Sequence, residues 1–182
     1  MTSICIDGFN LALAKGSGIA TYGRNLLENV RAIGYGTEVL YGPPGAQKSQ
    51  NVLNEAMLVD AERAPQRLSR KQKYRRWKRT LTSPIGRSPF AIIPSGEVIW
   101  PSRSGGMPAA DKFWAAQDLY TLANRAFQAY SRFTPVSFPS SDATSAPDIM
   151  HWTAALPLQA KGMANIYTIH DLIPLRLPHT TL

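Results

Sequence analysis

The stretch SICIDGFNLALAKGSGIATYGRNLLENVRAIGYGTEVLYG, Ser3 to Gly42, decides the fold. It opens on a short apolar run, Ser3 to Phe9, that ends in turn-forming residues and suits a buried strand of a parallel sheet. From Ile19 the residues Ile19, Tyr22, Leu26, Val30 and Ile33 step by three and four, which gives a helix one apolar stripe, and Gly34 stops it. EVLYG, Glu38 to Gly42, is a second strand. Strand, helix and strand in that order form a βαβ unit, because a helical crossover returns the chain to pair in parallel.

Working outward, residues 43–107 are rich in Pro, Gly, Ser and basic residues and read as an irregular basic insertion in a single domain spanning 1–182. Within them lie a helix candidate from Val52 to Arg63 and strand candidates at FAII (90–93) and EVIW (97–100). PAADKFWAAQDLYTLANRAFQAYSRF (108–133) reads as a helix, with Phe113, Ala116, Tyr120, Ala123, Phe127 and Tyr130 as its core-facing stripe. A polar loop, PSSDATSAPD (139–148), leads to the strands IMHW and NIYTI, and no internal repeat is present. Strands alternating with helices predict a doubly wound α/β fold with a mainly parallel sheet. Cys5, Ile6, Val39, Leu40, Ile149, Ile166 and Ile169 are its expected buried residues.

A chain of 182 residues, 44% apolar and 18% charged, has ordinary globular composition and is not a disordered polymer. The single cysteine, Cys5, lies in an apolar run, so no internal disulfide is available and a reducing, cytoplasmic compartment is expected, with Cys5 a core hydrophobe. The first residues lack the pattern of a signal peptide, and no apolar run reaches the roughly 18 residues of a membrane span. The net charge of +8 is concentrated: ten of the twenty Lys and Arg fall between Arg63 and Arg87, with no acid from Arg63 to Gly96. There Leu68, Tyr74, Trp77 and Leu81 recur at mostly helical spacing among Arg70, Lys71, Lys73, Arg75, Arg76, Lys78 and Arg79. Such a helix would set cations beside aromatic rings and could lie peripherally on an anionic membrane. A solvated basic loop and a nucleic-acid contact are the competing readings.

Doubly wound sheets bind ligands beyond the carboxyl ends of their strands, and three groups of residues fall at that edge. Gly16, Ser17 and Gly18 immediately precede the first helix, where a close backbone approach and unpaired N–H groups favour a phosphate. They are not a dinucleotide fingerprint, since the glycines begin seven residues after the strand's end at Phe9, and Glu38 opens the second strand where an acid should close it. The Walker pattern is absent as well. His151 and Trp152 end the IMHW strand, and His170 with Asp171 follow NIYTI. A histidine there can bond a polar ligand, and a tryptophan can stack on a sugar face. The three histidines, 19 and 9 positions apart, match no compact zinc pattern, so no metal site is expected. The His–Asp pair also lacks the helical setting and downstream ligands of HD-type phosphohydrolases, because Pro174 and Pro178 follow and no acid comes after Asp171.

Three motifs taken together, IDGFNL...GSGIATYGRNLLENV, DIMHWTAALPL and NIYTIHDLIPLRLP, resemble the N-terminal domain of the GT-B glycosyltransferases of family 4, especially bacterial mannosyl- or hexosyltransferases. The resemblance covers both ends of the chain and is strongest from Asp148 onward. It implies a Rossmann-like, acceptor-side half of a retaining enzyme that moves a hexose from a nucleotide-sugar to a polysaccharide or glycolipid acceptor, without a metal or other cofactor. It implies a catalytic role for His170 and Asp171, a loop of Gly16, Ser17 and Gly18 facing the donor diphosphate, and acceptor contacts from Asp7, Asn10, His151 and Trp152. The nucleotide-binding half and its glutamates, separated by seven residues, are not found. Glu55 and Glu62 have only six residues between them, so the chain is expected to be inactive alone. The alternative from the residues themselves is a non-catalytic module that binds phosphate or nucleic acid through the glycine loop and the basic segment.

Overall fold

The computed structural model describes residues 2–11, 18–44, 55, 58, 74, 85–93, 98, 100, 106–139 and 145–171. In chain order the named elements are β1 (Ser3–Asp7), α1 (Gly18–Ala32), β2 (Gly36–Tyr41), β3 (Phe90–Ile92), β4 (Lys112–Ala115), α2 (Leu119–Tyr130), β5 (Thr134–Val136), β6 (Ile149–Trp152), β7 (Leu158–Ala160) and β8 (Ala164–Tyr167). Six strands form one sheet in the order β3-β4-β2-β1-β6-β8, while β5 and β7 make a small parallel pair. Every neighbour in the large sheet is parallel except β3, which runs antiparallel along the β4 edge. The chain therefore steps from β1 through β2 to β4, then returns to the other side of β1 to lay down β6 and β8. This is a mixed α/β architecture with a mainly parallel sheet, compatible with a Rossmann-like fold. The direction of winding reverses between β1 and β6, where such sheets open a crevice beyond their carboxyl ends.

Alternation along the strands feeds two cores. Cys5, Leu40, Trp114, Met150 and Trp152 pack with Leu119, Tyr120 and Ala123 of α2. The alternate residues Ile6, Val39, Tyr41 and Phe113 pack with Leu27 of α1 and with Leu11. Successive side chains of a strand point to opposite faces, so each face has its own helix. Fully burying a side chain such as Leu27 contributes roughly 1.5–3 kcal/mol. At the carboxyl end of β1, Gly8 passes so near the Tyr41 ring that a Cβ there would lie 2.6 Å from it. Its N–H donates to the Leu40 carbonyl at 2.7 Å, which keeps β1 and β2 level at their carboxyl ends.

The α1 stripe is shifted from the one expected. Val30 is buried as expected and Ile19, Tyr22 and Leu26 are half-buried, but Ala20, Gly23 and Leu27 are the other buried residues and Ile33 is 71% exposed. The large side chains suggested one face, but the helix sits close on the sheet through small residues. A Cβ on Gly23 would stand 3.4 Å from Leu11 and 3.6 Å from Ile6. The stop at Gly34 is as expected: its φ is +89°, and the bonds Gly34 N to Arg31 O and Tyr35 N to Val30 O close a Schellman motif.

The long helix read over 108–133 is instead a strand and a helix. Phe113 and the flanking residues Lys112–Ala115 form β4, Ala116 follows it, and α2 starts only at Leu119 after Asp118 at φ 54°. A short strand buried on both faces cannot be told from a buried helical turn by periodicity alone. Phe127 and Tyr130 of the expected stripe are exposed, and Leu119, Leu122 and Ala126 are buried. FAII does contain β3, but Val98 and Trp100 of EVIW lie in no strand. Glu55 and Leu58 are helical and buried, and the rest of the Val52 to Arg63 helix candidate lies outside the described residues.

Cys5, Ile6, Val39 and Leu40 are buried as expected, but Ile149 is half-buried and Ile166 and Ile169 are 46% and 61% exposed. The reason is that β8 is the edge strand. Its covered face carries Asn165 and Tyr167, which bond β7 through Ala160 N to Asn165 Oδ1 at 2.8 Å and Tyr167 OH to Leu158 O at 2.6 Å. Ile166 therefore points away from that contact. Among the described residues no helix is long and apolar enough to cross a membrane.

Candidate functional site

Four chain segments meet where the winding reverses: the turn after β1, the start of α1, the end of β6 and the segment after β8. The link between the first and third is Asp7. Its carboxylate is buried and accepts from the Phe9 N–H at 3.2 Å and from the Thr153 N–H. Loss of water pushes the Asp7 carboxyl above its ordinary range, opposed by the donors of Thr153 and Phe9. The Thr153 carbonyl in turn receives a 2.6 Å hydrogen bond from His170 Nε2. A carbonyl only accepts, so Nε2 carries the proton.

Tyr22, on α1, lies edge-on to the His170 ring with centroids 5.2 Å apart at 84°. Its hydroxyl is 3.3 Å from Thr168 Oγ1 and 3.4 Å from His151 Nε2, and those two atoms are 2.7 Å apart. Thr168 is itself set by its N–H, which donates to the Trp152 carbonyl at 2.9 Å. Burial lowers the His151 pKa, which favours the uncharged ring inside this hydroxyl cluster. The cluster fastens α1 to the ends of β6 and β8. It also leaves two imidazoles and two hydroxyls at the carboxyl edge, a hydrogen-bonding surface fitted to a polar ligand.

Of the residues singled out in the sequence, Gly18, His151 and His170 are brought together through Tyr22. Gly18 is the first residue of α1, and a Cβ there would meet nothing within 4 Å among the described residues. Gly16 and Ser17 lie outside the described residues, as do Arg70, Lys71, Lys73, Arg75, Arg76, Trp77, Lys78 and Arg79 of the basic segment. Asp171 is exposed beside His170. Asn10 is buried, and its Nδ2 has no hydrogen-bond partner among the described residues. Two acceptor assignments change. Trp152 is fully buried, packed against Tyr167 and donating from Nε1 to Asn165 Oδ1 at 2.9 Å, so its ring offers no face to a sugar. Asp7 is likewise buried, and its oxygens are occupied by the chain's own backbone donors.

Sequence reasoning passed over Tyr22, Thr153 and Thr168. Tyr22 read as one more apolar position of a helix, and only its place one turn past the helix start marked it as near the edge. The threonines carried no signal of their own. Cys5 is confirmed as core: burial drives its thiol pKa well up, which makes it a poor nucleophile. Among the described residues no three His, Cys, Asp or Glu side chains are grouped to hold a metal ion. A separate cavity of about 300 Å³ lies farther along the same edge, beyond β4, lined by Gly86, Arg87, Ser88, Phe90, Ala116, Gln117 and Leu122. No protein family, no curated protein and no solved structure matches this chain.

Proposed function

We propose that this chain is the N-terminal, acceptor-side half of a retaining GT-B glycosyltransferase of family 4, which moves a hexose from a nucleotide-sugar to a glycan or glycolipid. The observation that carries the reading is the meeting of Gly18, Tyr22, His151, Thr168 and His170 at the point where the strand order reverses. Those residues come from the three motifs on which the resemblance rests, and open α/β sheets bind their ligands at this point.

In this reading His170 meets the hydroxyls of the transferred sugar, with Asp171 beside it. The start of α1 at Gly18 faces the donor diphosphate, where a helix N-terminus favours negative charge. His151 and the Tyr22 and Thr168 hydroxyls border the acceptor, and Trp152 supports them from within the core. Asn10 Nδ2, a buried donor without a partner among the described residues, is a further hydrogen-bonding group on the β1 side.

Amide chemical shifts of the chain titrated with a short oligosaccharide test the reading. The resonances of Tyr22, His151, Thr168 and His170 should move together and saturate. Shifts confined to the basic segment, produced by a DNA duplex and not by the oligosaccharide, would favour the phosphate- or nucleic-acid-binding module instead.

A further inference from the structure

We propose that Asp7 is a positioning residue for His170: by gripping Thr153 it fixes the imidazole with Nε2 protonated, so that Nδ1 is the open acceptor and takes a ligand hydroxyl. The identity of that hydroxyl as a sugar's rests on the glycosyltransferase reading; the positioning does not.

The chain of contacts is short. Asp7 and Thr153 are both buried, 0% and 2% exposed, so neither exchanges its partner for water. The carboxylate holds the Thr153 N–H through Oδ2. Held at its N–H and buried, Thr153 presents its carbonyl in one place, where His170 Nε2 meets it at 2.6 Å. The Tyr22 ring, edge-on at 5.2 Å, restricts the remaining rotation of the imidazole. In the uncharged ring the proton on Nε2 leaves a lone pair on Nδ1. That atom has no hydrogen-bond partner among the described residues, and His170 lies at the surface. A lone pair accepts from a hydroxyl or an N–H group; it repels the oxygens of a phosphate or carboxylate. Asp7 lies 163 positions from His170 in the chain, and no local motif links the two.

Long-range proton–nitrogen correlation spectra of the chain with labelled histidine read the tautomer directly, without any sugar transfer, at a pH where the ring is uncharged. The Nε2–H form should dominate for His170. In Asp7→Asn, which keeps the shape but loses one acceptor oxygen, the two tautomers should mix. In Asp7→Ala the bias should be lost. Asp7→Asn decides the matter if Asp7→Ala does not fold. An Nδ1–H ring in the unmodified chain, or an unchanged tautomer in folded Asp7→Asn, overturns the positioning role. Methyl α-mannoside should move the Nδ1 resonance and inorganic phosphate should not; the reverse result overturns the hydroxyl assignment. A surviving tautomer bias in a chain that binds no sugar would sink the glycosyltransferase reading and leave the positioning role standing.

Discussion

Asp7 is the residue on which the site's geometry depends, and its burial makes that dependence visible to pH. Its carboxyl pKa stands above the ordinary 3.8 because desolvation outweighs the hydrogen bonds it accepts. Between 3.8 and the raised value the folded chain binds more protons than the unfolded one, so this group's contribution is full below 3.8 and falls as pH rises through the raised pKa. Urea unfolding of the unmodified chain and of Asp7→Asn, whose side chain does not titrate, should therefore show a difference that declines with rising pH over that window and then levels off. A difference independent of pH would mean that Asp7 is not desolvated as described. At this scale the sequence was partly legible. Asp7, His151 and His170 stood out because polar residues at the ends of apolar strands are conspicuous. Trp152 was misread, since nothing local distinguishes an aromatic that ends a strand in the core from one that faces a ligand. Thr153 acts through its backbone, which leaves no trace in residue identity.

Among the elements, α1 carries the site's Tyr22 and Gly18, and its seating decides where they stand. The structure places Leu27 fully inside and Ile33 largely outside, against the stripe drawn from large side chains alone. Leu27→Ala should cost about 2–5 kcal/mol of unfolding free energy, as buried leucine truncations do. Ile33→Ala should stay within about 0.5 kcal/mol, the usual range for surface changes. Equal losses would restore the expected stripe. The existence of α1, β1, β2, β6 and β8 was legible because each has a period or an apolar run bounded by turn residues. The β4 strand was not, since KFWA merges into the apolar pattern of the helix that follows. The three-residue strands β5 and β7 are too short to carry a period at all.

For the whole molecule, the order β4-β2-β1-β6-β8 follows from a simple history: two crossovers in one direction from β1, then a return to its other side. Alternating strands and helices made a parallel sheet legible, but the sequence contains no mark of which neighbour each strand takes. That choice sets the ends of β1 and β6 side by side where the winding reverses and brings His170 to Thr153, which Asp7 holds, and to Tyr22. The central claim, that this edge of the sheet handles the sugar while the nucleotide is held elsewhere, is tested most directly in an enzyme that joins this chain to a nucleotide-sugar domain. His170→Ala should lower the turnover of hexose transfer on the order of 10²-fold, the scale of losing one well-placed polar group, with nucleotide affinity unchanged. Unchanged transfer, or an equal loss of nucleotide affinity, would contradict the account.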